Sequence, residues 1–389
     1  MNKKIKIILS VISEKLKVKK ALKRFIQRIR ILKSQFFFDN IFETTKGTKG
    51  PLGITLEITH NCNLKCLMCP RRSVDLKSNN HLSLDKFNAI LEKMSRLSHV
   101  NIVSLGEPLL NPNFFDMLNA AKSKGIKVSF TTNAMLLDES SIKRLPDNVT
   151  GIFVSIDNPL PEKYKEIRQG ASLETVLKNL KMLKQLRRDI SLGLQAILMR
   201  DNIDDMPGLF SIAEELDAET VSLLHILSLD KINDERHVHN LDPRELNSYL
   251  EKIEGEAKKF KNFNFSPRPS QPELKPCPEP WLTPYIAING DIYPCCFIYR
   301  IPKPTFKEWY LNTCIDVPLD QYKMGNIFND SFEKIWNGKN YRLIRKTIKE
   351  SDRNQTLSIQ EFNRKRKEIN LEDKFSYCKI CLYRWSSAC

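Results

Sequence analysis

From residue 53 the chain alternates strand-like and helix-like segments six times, and this alternation constrains its fold more than any other feature. Apolar, β-branched runs fall at 53–59, 100–104, 126–131, 151–156, 190–198 and 220–225. Helical periodicity fills the intervals at 83–96, 112–124, 138–145, 161–187 and 204–216, and again at 242–260. Repeated βα units predict a parallel sheet with right-handed crossovers. Six are too few to close an eight-stranded barrel, so a partial barrel or an open doubly wound sheet is expected. In both, ligands bind where the strands end, so residues just after a strand are the first candidates for chemistry.

Both flanks differ from this core. Residues 1–38 hold twelve Lys/Arg against one acidic residue, Glu14, whereas the whole chain of 389 residues is +16. The excess charge is therefore local, and a nucleic-acid footprint spread over the protein is not expected. Ile5, Ile8, Ile12, Leu16, Leu22, Phe25, Ile26, Ile29, Leu32 and Phe36 recur at helical steps between the cations. Such a basic amphipathic helix either adsorbs to an anionic membrane face or packs its stripe on the protein. It lacks the length of a spanning segment and the cleavage site of an export signal. A cytoplasmic protein, peripheral at most at the inner membrane face, is expected. At the other end, seven of the 20 prolines crowd between Pro267 and Pro284, too densely for helix or central strand. The expected organisation is an extension at 1–50, a β/α domain at 51–266 and a cysteine-rich domain at 267–389.

Cys62, Cys66 and Cys69 form C-x3-C-x2-C directly after the first strand. Three thiolates on one loop at the ligand face can wrap a compact soft-metal centre. Zinc would want a fourth ligand, which His60 could supply. A ferredoxin run would carry four cysteines; three on a four-iron cluster leave one iron open for a substrate or cofactor. Seven of the ten cysteines lie at or beyond Cys277. Cys277, Cys295 and the pair Cys378-x2-Cys381 could close a fully ligated cluster or a zinc site, and spacing alone does not choose. Between them IAINGDIYPCC reads as a hairpin turning at Asn289-Gly290. Cys296, Cys314 and Cys389 are left over.

The first motif, at this point of a six-unit β/α chain, resembles the radical S-adenosylmethionine (SAM) superfamily. Further residues agree with that resemblance. Gly106-Glu107-Pro108 is similar to the Gly-Gly-Glu-Pro motif that holds the SAM amino group, with Leu105 in place of the first glycine. Asn133 sits in a Thr-Asn turn, Ser155 and Asp157 flank the fourth strand where relatives contact the ribose, and Arg168 is similar to the residue that meets the SAM carboxylate. The order of Cys277, the hairpin, a GNIFNDSFEKIWNG stretch and the C-x2-C pair resembles the SPASM/twitch extension of these enzymes. The resemblance implies an α/β partial (β/α)6 TIM-like barrel with a small SPASM/twitch domain and a basic N-terminal helical segment. It implies SAM on the open iron of a [4Fe–4S] cluster held by Cys62, Cys66 and Cys69. It also implies one auxiliary [4Fe–4S] cluster on Cys277, Cys295, Cys378 and Cys381.

The implied chemistry is reductive cleavage of SAM to a 5′-deoxyadenosyl radical that abstracts hydrogen from a substrate C–H bond. An electron-accepting auxiliary cluster favours dehydrogenation or a maturation-type modification, including cross-linking of a peptide or protein. Implied partners are a flavodoxin or ferredoxin-type electron donor and a small-molecule, peptide or lipid-linked substrate, with membrane contact through residues 1–38 and no specific nucleic acid. His225, at the end of the sixth strand, is a candidate base, but a packed or solvated histidine is the commoner reading, and the catalytic acid/base is left unassigned. The rival from another class is a zinc-bound interaction module.

Overall fold

The computed structural model describes residues 50–73, 80–226, 229–258, 260, 263–265, 273–274, 277–296, 298, 305–310, 312–350, 355–356, 359–379 and 381. The basic segment 1–38 and Cys389 lie outside these residues. All six expected strands form: β1 (Gly53–Leu56), β2 (His99–Ile102), β3 (Lys127–Thr132), β4 (Val149–Ser155), β5 (Ser191–Leu198) and β6 (Thr220–His225). They are joined by a seventh, β7 (Phe263–Phe265), and all seven pair in parallel in sequence order. Ile54, Leu56, Val100, Ile102, Val128, Phe130, Ile152 and Val154 are fully buried along them, alternate positions that give the sheet one continuous apolar face.

The crossover helices begin where local chemistry starts them. Ser83, Asp138 and Ser172 accept hydrogen bonds from the backbone N–H groups of Lys86, Ser141 and Thr175, while Pro161, Pro207 and Pro243 occupy first helical positions. The periodicity at 161–187 predicts one helix, yet the chain forms two, Pro161–Ile167 and Leu173–Leu186. The break is put to use: the Ile167 and Gln169 carbonyls accept from Leu67 N and Lys65 N, both at 2.9 Å. Gly170, at φ +95°, makes the turn.

Beyond the proline-dense stretch lie β8 (Glu273–Leu274), β9 (Tyr285–Ile286), β10 (Asp291–Tyr293), β11 (Thr305–Tyr310), β12 (Thr313–Pro318), β13 (Gly325–Asn326) and β14 (Gln355–Thr356). β9 pairs in parallel with β1, and β10 and β13 follow outward, so one ten-stranded sheet runs through both halves of the chain. The expected hairpin is β9–β10, turning at Gly290 (φ +85°). Lys93 ties the halves again by donating to the Ile327 carbonyl at 2.6 Å. Trp336 is fully buried and Ile335 nearly so, as core residues of the helix Phe332–Trp336. Among the described residues no helix is long and apolar enough to cross a membrane.

Candidate active site at the ends of the parallel strands

The loop after β1 carries Cys62, Cys66 and Cys69, all half-buried free thiols. Two of the sulfurs face donors from other segments, Asn133 just after β3 and Arg168 at the end of the helix Pro161–Ile167. Asn133 Nδ2 lies 3.9 Å from Cys62 Sγ, and Arg168 Nη1 lies 4.0 Å from Cys66 Sγ. Cys66 also packs on Met68, Ile167, Met199 and Ile226, an apolar wall that keeps water from one side of the loop. Burial pushes all three thiols up, Cys66 to about 11, while Arg168 and Arg71 pull the other way. Metal coordination, which requires thiolates, would reverse that balance. His60 points its Nδ1 at Asn80 (2.9 Å) and its Nε2 at Glu57 (3.1 Å), so its contacts lie with those two residues.

Gly106 crosses directly over this loop. A Cβ placed there would stand 2.2 Å from the Asn61 carbonyl oxygen and 2.7 Å from its nitrogen. The approach is sealed by Gly106 N–H donating to Thr59 O at 3.0 Å and Glu107 N–H to Asn61 O at 2.7 Å. Gly106 is thus the glycine this crossing demands, which explains why Leu105 is tolerated one position earlier. Gly106→Ala should displace the cysteine loop at a cost of about 1–3 kcal/mol or more, read as a lower urea midpoint and less iron retained.

Glu107 is buried beneath the crossing and accepts from Thr132 Oγ1 (2.7 Å), Asn133 N (2.8 Å) and Leu109 N (3.3 Å). Burial raises its pKa, and these hydrogen bonds oppose the rise. Asn133, in turn, donates to Asn63 Oδ1 at 2.9 Å, so the second, third and first strand ends form one network. Ala134 takes the left-handed conformation (φ 57°) that the turn after Asn133 needs.

Asp157 is fully buried. Its Oδ2 accepts from Arg168 Nε at 2.5 Å and its Oδ1 from Ile197 N at 2.7 Å. Its visible work is therefore to aim Arg168, which stands between that carboxylate and Cys66. Ser155 is half-buried at the end of β4, and Pro108 is buried under the 106–108 turn. Sequence reasoning missed Glu57, which follows β1 and accepts from Leu105 N (3.4 Å) and from Ile288 N in the β9–β10 hairpin (3.2 Å). A carboxylate fully buried one residue past a strand, next to the motif, was its signal.

A second group of thiols gathers in the C-terminal region. Burial pushes the Cys295 thiol well up, and it is raised further by Cys296, Cys277, Cys381 and Cys378. Cys277, Cys378 and Cys381 therefore lie near enough to act on Cys295, as does its chain neighbour Cys296. Cys314 sits on β12 opposite Trp309. Tyr322 stands over this cluster, its phenol oxygen accepting from Tyr377 N at 3.1 Å.

The family signature described as the radical SAM superfamily matches residues 56–211, and that described as an iron-sulfur cluster-binding domain (SPASM) matches 277–382. The chain belongs to the radical SAM superfamily. This radical SAM protein is 26% identical over 306 residues to the tungsten-containing aldehyde ferredoxin oxidoreductase cofactor-modifying protein of Pyrococcus furiosus, covering 75% of this chain and 82% of that one. It is 24% identical over 182 residues to the PqqA peptide cyclase of Bradyrhizobium diazoefficiens, covering 45% of this chain and 47% of the cyclase. Several other curated relatives are likewise spanned over less than two thirds of their length. Its fold is similar to that of Streptococcus suis SuiB bound to its precursor peptide SuiA, with a TM-score of 0.59 at 16% identity over 82% of this chain and 72% of SuiB. The expected family, fold and cofactors, [4Fe–4S] clusters and SAM, are therefore those of this protein. It is an enzyme of that superfamily, which removes the zinc interaction module as its principal reading.

Proposed function

We propose that this enzyme holds its SAM-binding [4Fe–4S] cluster on Cys62, Cys66 and Cys69 and one auxiliary [4Fe–4S] cluster on Cys277, Cys295, Cys378 and Cys381. It uses them for an oxidative, maturation-type modification of a peptide substrate. SAM on the open iron supplies a 5′-deoxyadenosyl radical by one-electron reduction. The observation that carries the reading is the seating of the three-cysteine loop under Gly106, with polar donors from Asn133 after the third strand and from Arg168 at the end of the helix Pro161–Ile167 aimed at its sulfurs.

The chain's own residues do the positioning. Asn133 and Arg168 place hydrogen-bond donors toward Cys62 and Cys66, which stabilises negative charge on sulfur. Glu107 offers a buried carboxylate at the same mouth, suited to the SAM ammonium. Arg168, held by Asp157, offers a guanidinium suited to its carboxylate, and Ser155 offers a hydroxyl at the ribose side. Met68, Ile167, Met199 and Ile226 exclude water there. A peptide substrate is supported by the named peptide of SuiB and by the peptide cyclase relative; a small-molecule or lipid-linked substrate is the alternative. The electron donor on this reading is a flavodoxin or ferredoxin.

Anaerobic reconstitution should give brown protein with two clusters' worth of iron and sulfide, and dithionite should release 5′-deoxyadenosine from SAM. Stoichiometric zinc without sulfide, or no SAM cleavage, would overturn the reading. Glu107→Gln keeps the size but loses the charge, and should raise the KM for SAM about tenfold or more, with iron content unchanged. Residues 1–38 are the proposed contact with an anionic membrane face. Full-length protein should co-sediment with phosphatidylserine vesicles, and a chain lacking these residues should stay in solution.

A further inference from the structure

Three of the chain's six histidines meet at one place. His225 is the last residue of β6, and His237 and His239 lie twelve and fourteen positions on, flanking Val238 in a single turn of 3-10 helix. One ligand nitrogen from each ring lies within 4.8 Å of the other two. Ring centroids are 5.4 Å apart for His225–His237, 5.3 Å for His225–His239 and 4.4 Å for His237–His239. Among the described residues no other three His, Cys, Asp or Glu side chains bring their ligand atoms so close to one another; the cysteines of both sets stand further apart. We propose that His225, His237 and His239 form a mononuclear site for a divalent transition-metal ion at the mouth of the sheet, separate from both cysteine clusters.

The ligand chemistry favours a metal. Neutral imidazole suits zinc, nickel, copper and iron, and three such ligands leave a fourth position open, the pattern of catalytic rather than structural sites. His237 is buried, and His225 and His239 are half-buried. His225 Nδ1 is buried with no hydrogen-bond partner in the structure, an expense that a coordinate bond would remove. His237 Nδ1 meets the His239 backbone N–H at 3.3 Å, a weak bond that ligation through Nδ1 would replace.

The turn is held in place independently of any metal. His237 N donates to Asp234 O (2.9 Å), Arg236 O accepts from Arg200 N (2.9 Å), and the Arg236 guanidinium pairs with Asp201 (2.8 Å). The buried Asp234 carboxylate accepts from Asn312 N in the β11–β12 hairpin at 2.8 Å. Three ligands around one tetrahedral ion sit about 3.3 Å apart. Since the His225 and His237 rings are nearly parallel (8°), ring rotation is what brings the set to that spacing. The position also matters: Ile226, next to His225, packs in the wall that holds Cys66. An ion here would stand at the same end of the sheet as the radical chemistry, with its open position suited to an oxygen donor of the substrate, a carboxylate or amide carbonyl.

The test uses the reconstituted holoenzyme, whose cysteines are already occupied, dialysed against micromolar Zn2+ and then against buffer. One zinc per chain should be retained, with a zinc-edge X-ray absorption spectrum of imidazole nitrogens and no sulfur. His225→Gln and, separately, His239→Gln should weaken zinc at least about 100-fold, with iron, sulfide and circular dichroism unchanged in at least one of them. Zinc held equally by wild type and both variants, zinc surrounded by sulfur, or no retained zinc would overturn the proposal. Iron, sulfide and SAM cleavage are read separately, so failure of the zinc site leaves the radical reading untouched.

Discussion

Cys66→Ala is expected to abolish 5′-deoxyadenosine formation and to remove one cluster's worth of iron and sulfide while the second cluster stays. Cys66 is the middle of the three proposed ligands, faces the Arg168 guanidinium and packs into the apolar wall. The loss falls on the group that carries the chemistry, and the turnover remaining should be at least about a thousandfold below wild type. Cys378→Ala should do the converse. It should remove the auxiliary cluster's iron while SAM cleavage without substrate continues. Iron and sulfide analysis with chromatographic assay of 5′-deoxyadenosine checks both. Equal loss of both clusters in each variant would show that they do not assemble independently.

Asp157→Ala should be the most destabilising single change at the site outside the cysteines. It strands the Arg168 guanidinium, buried and without its 2.5 Å partner, and leaves Ile197 N without its acceptor. Removing one member of a buried ion pair costs about 3–5 kcal/mol. Asp157→Asn keeps an acceptor for Ile197 N and should cost less, about 1–3 kcal/mol. Urea unfolding of the reconstituted enzyme separates the two. Because Arg168 is aimed at Cys66 through Asp157, both variants should also raise the KM for SAM, and Asp157→Asn should do so with most of its stability intact. A structural role alone would move the urea midpoint and leave that KM where it was.

How far the sequence could be read depended on whether a feature was local. The six strands were visible because each is a short β-branched run between helical periods, and the cysteine loop because its spacing is local. β7 was not visible: Phe263–Phe265 is three residues long and shows no period. The pairing of β9 with β1 was hidden too, since no local pattern reports a partner more than 200 residues away. Asp157 stood out as a candidate position but its contacts did not, because its partner Arg168 lies across a helix whose end the periodicity ran straight through. The imidazole cluster left a trace, His237-Val238-His239. Only the fold shows that His225 closes it.

That distant pairing has a consequence for how the protein is made. At about 5–20 residues per second of synthesis, Tyr285 leaves the ribosome roughly 10–50 s after Thr55, its partner in the sheet. For that interval the outer edge of β1 has no neighbour, and an unpaired edge is a template for joining other chains. The three thiols that follow β1 have by then already emerged, exposed to oxidants and to stray metal. The last third of the chain thus completes the sheet beside the strand from which the cysteine loop of the first third departs.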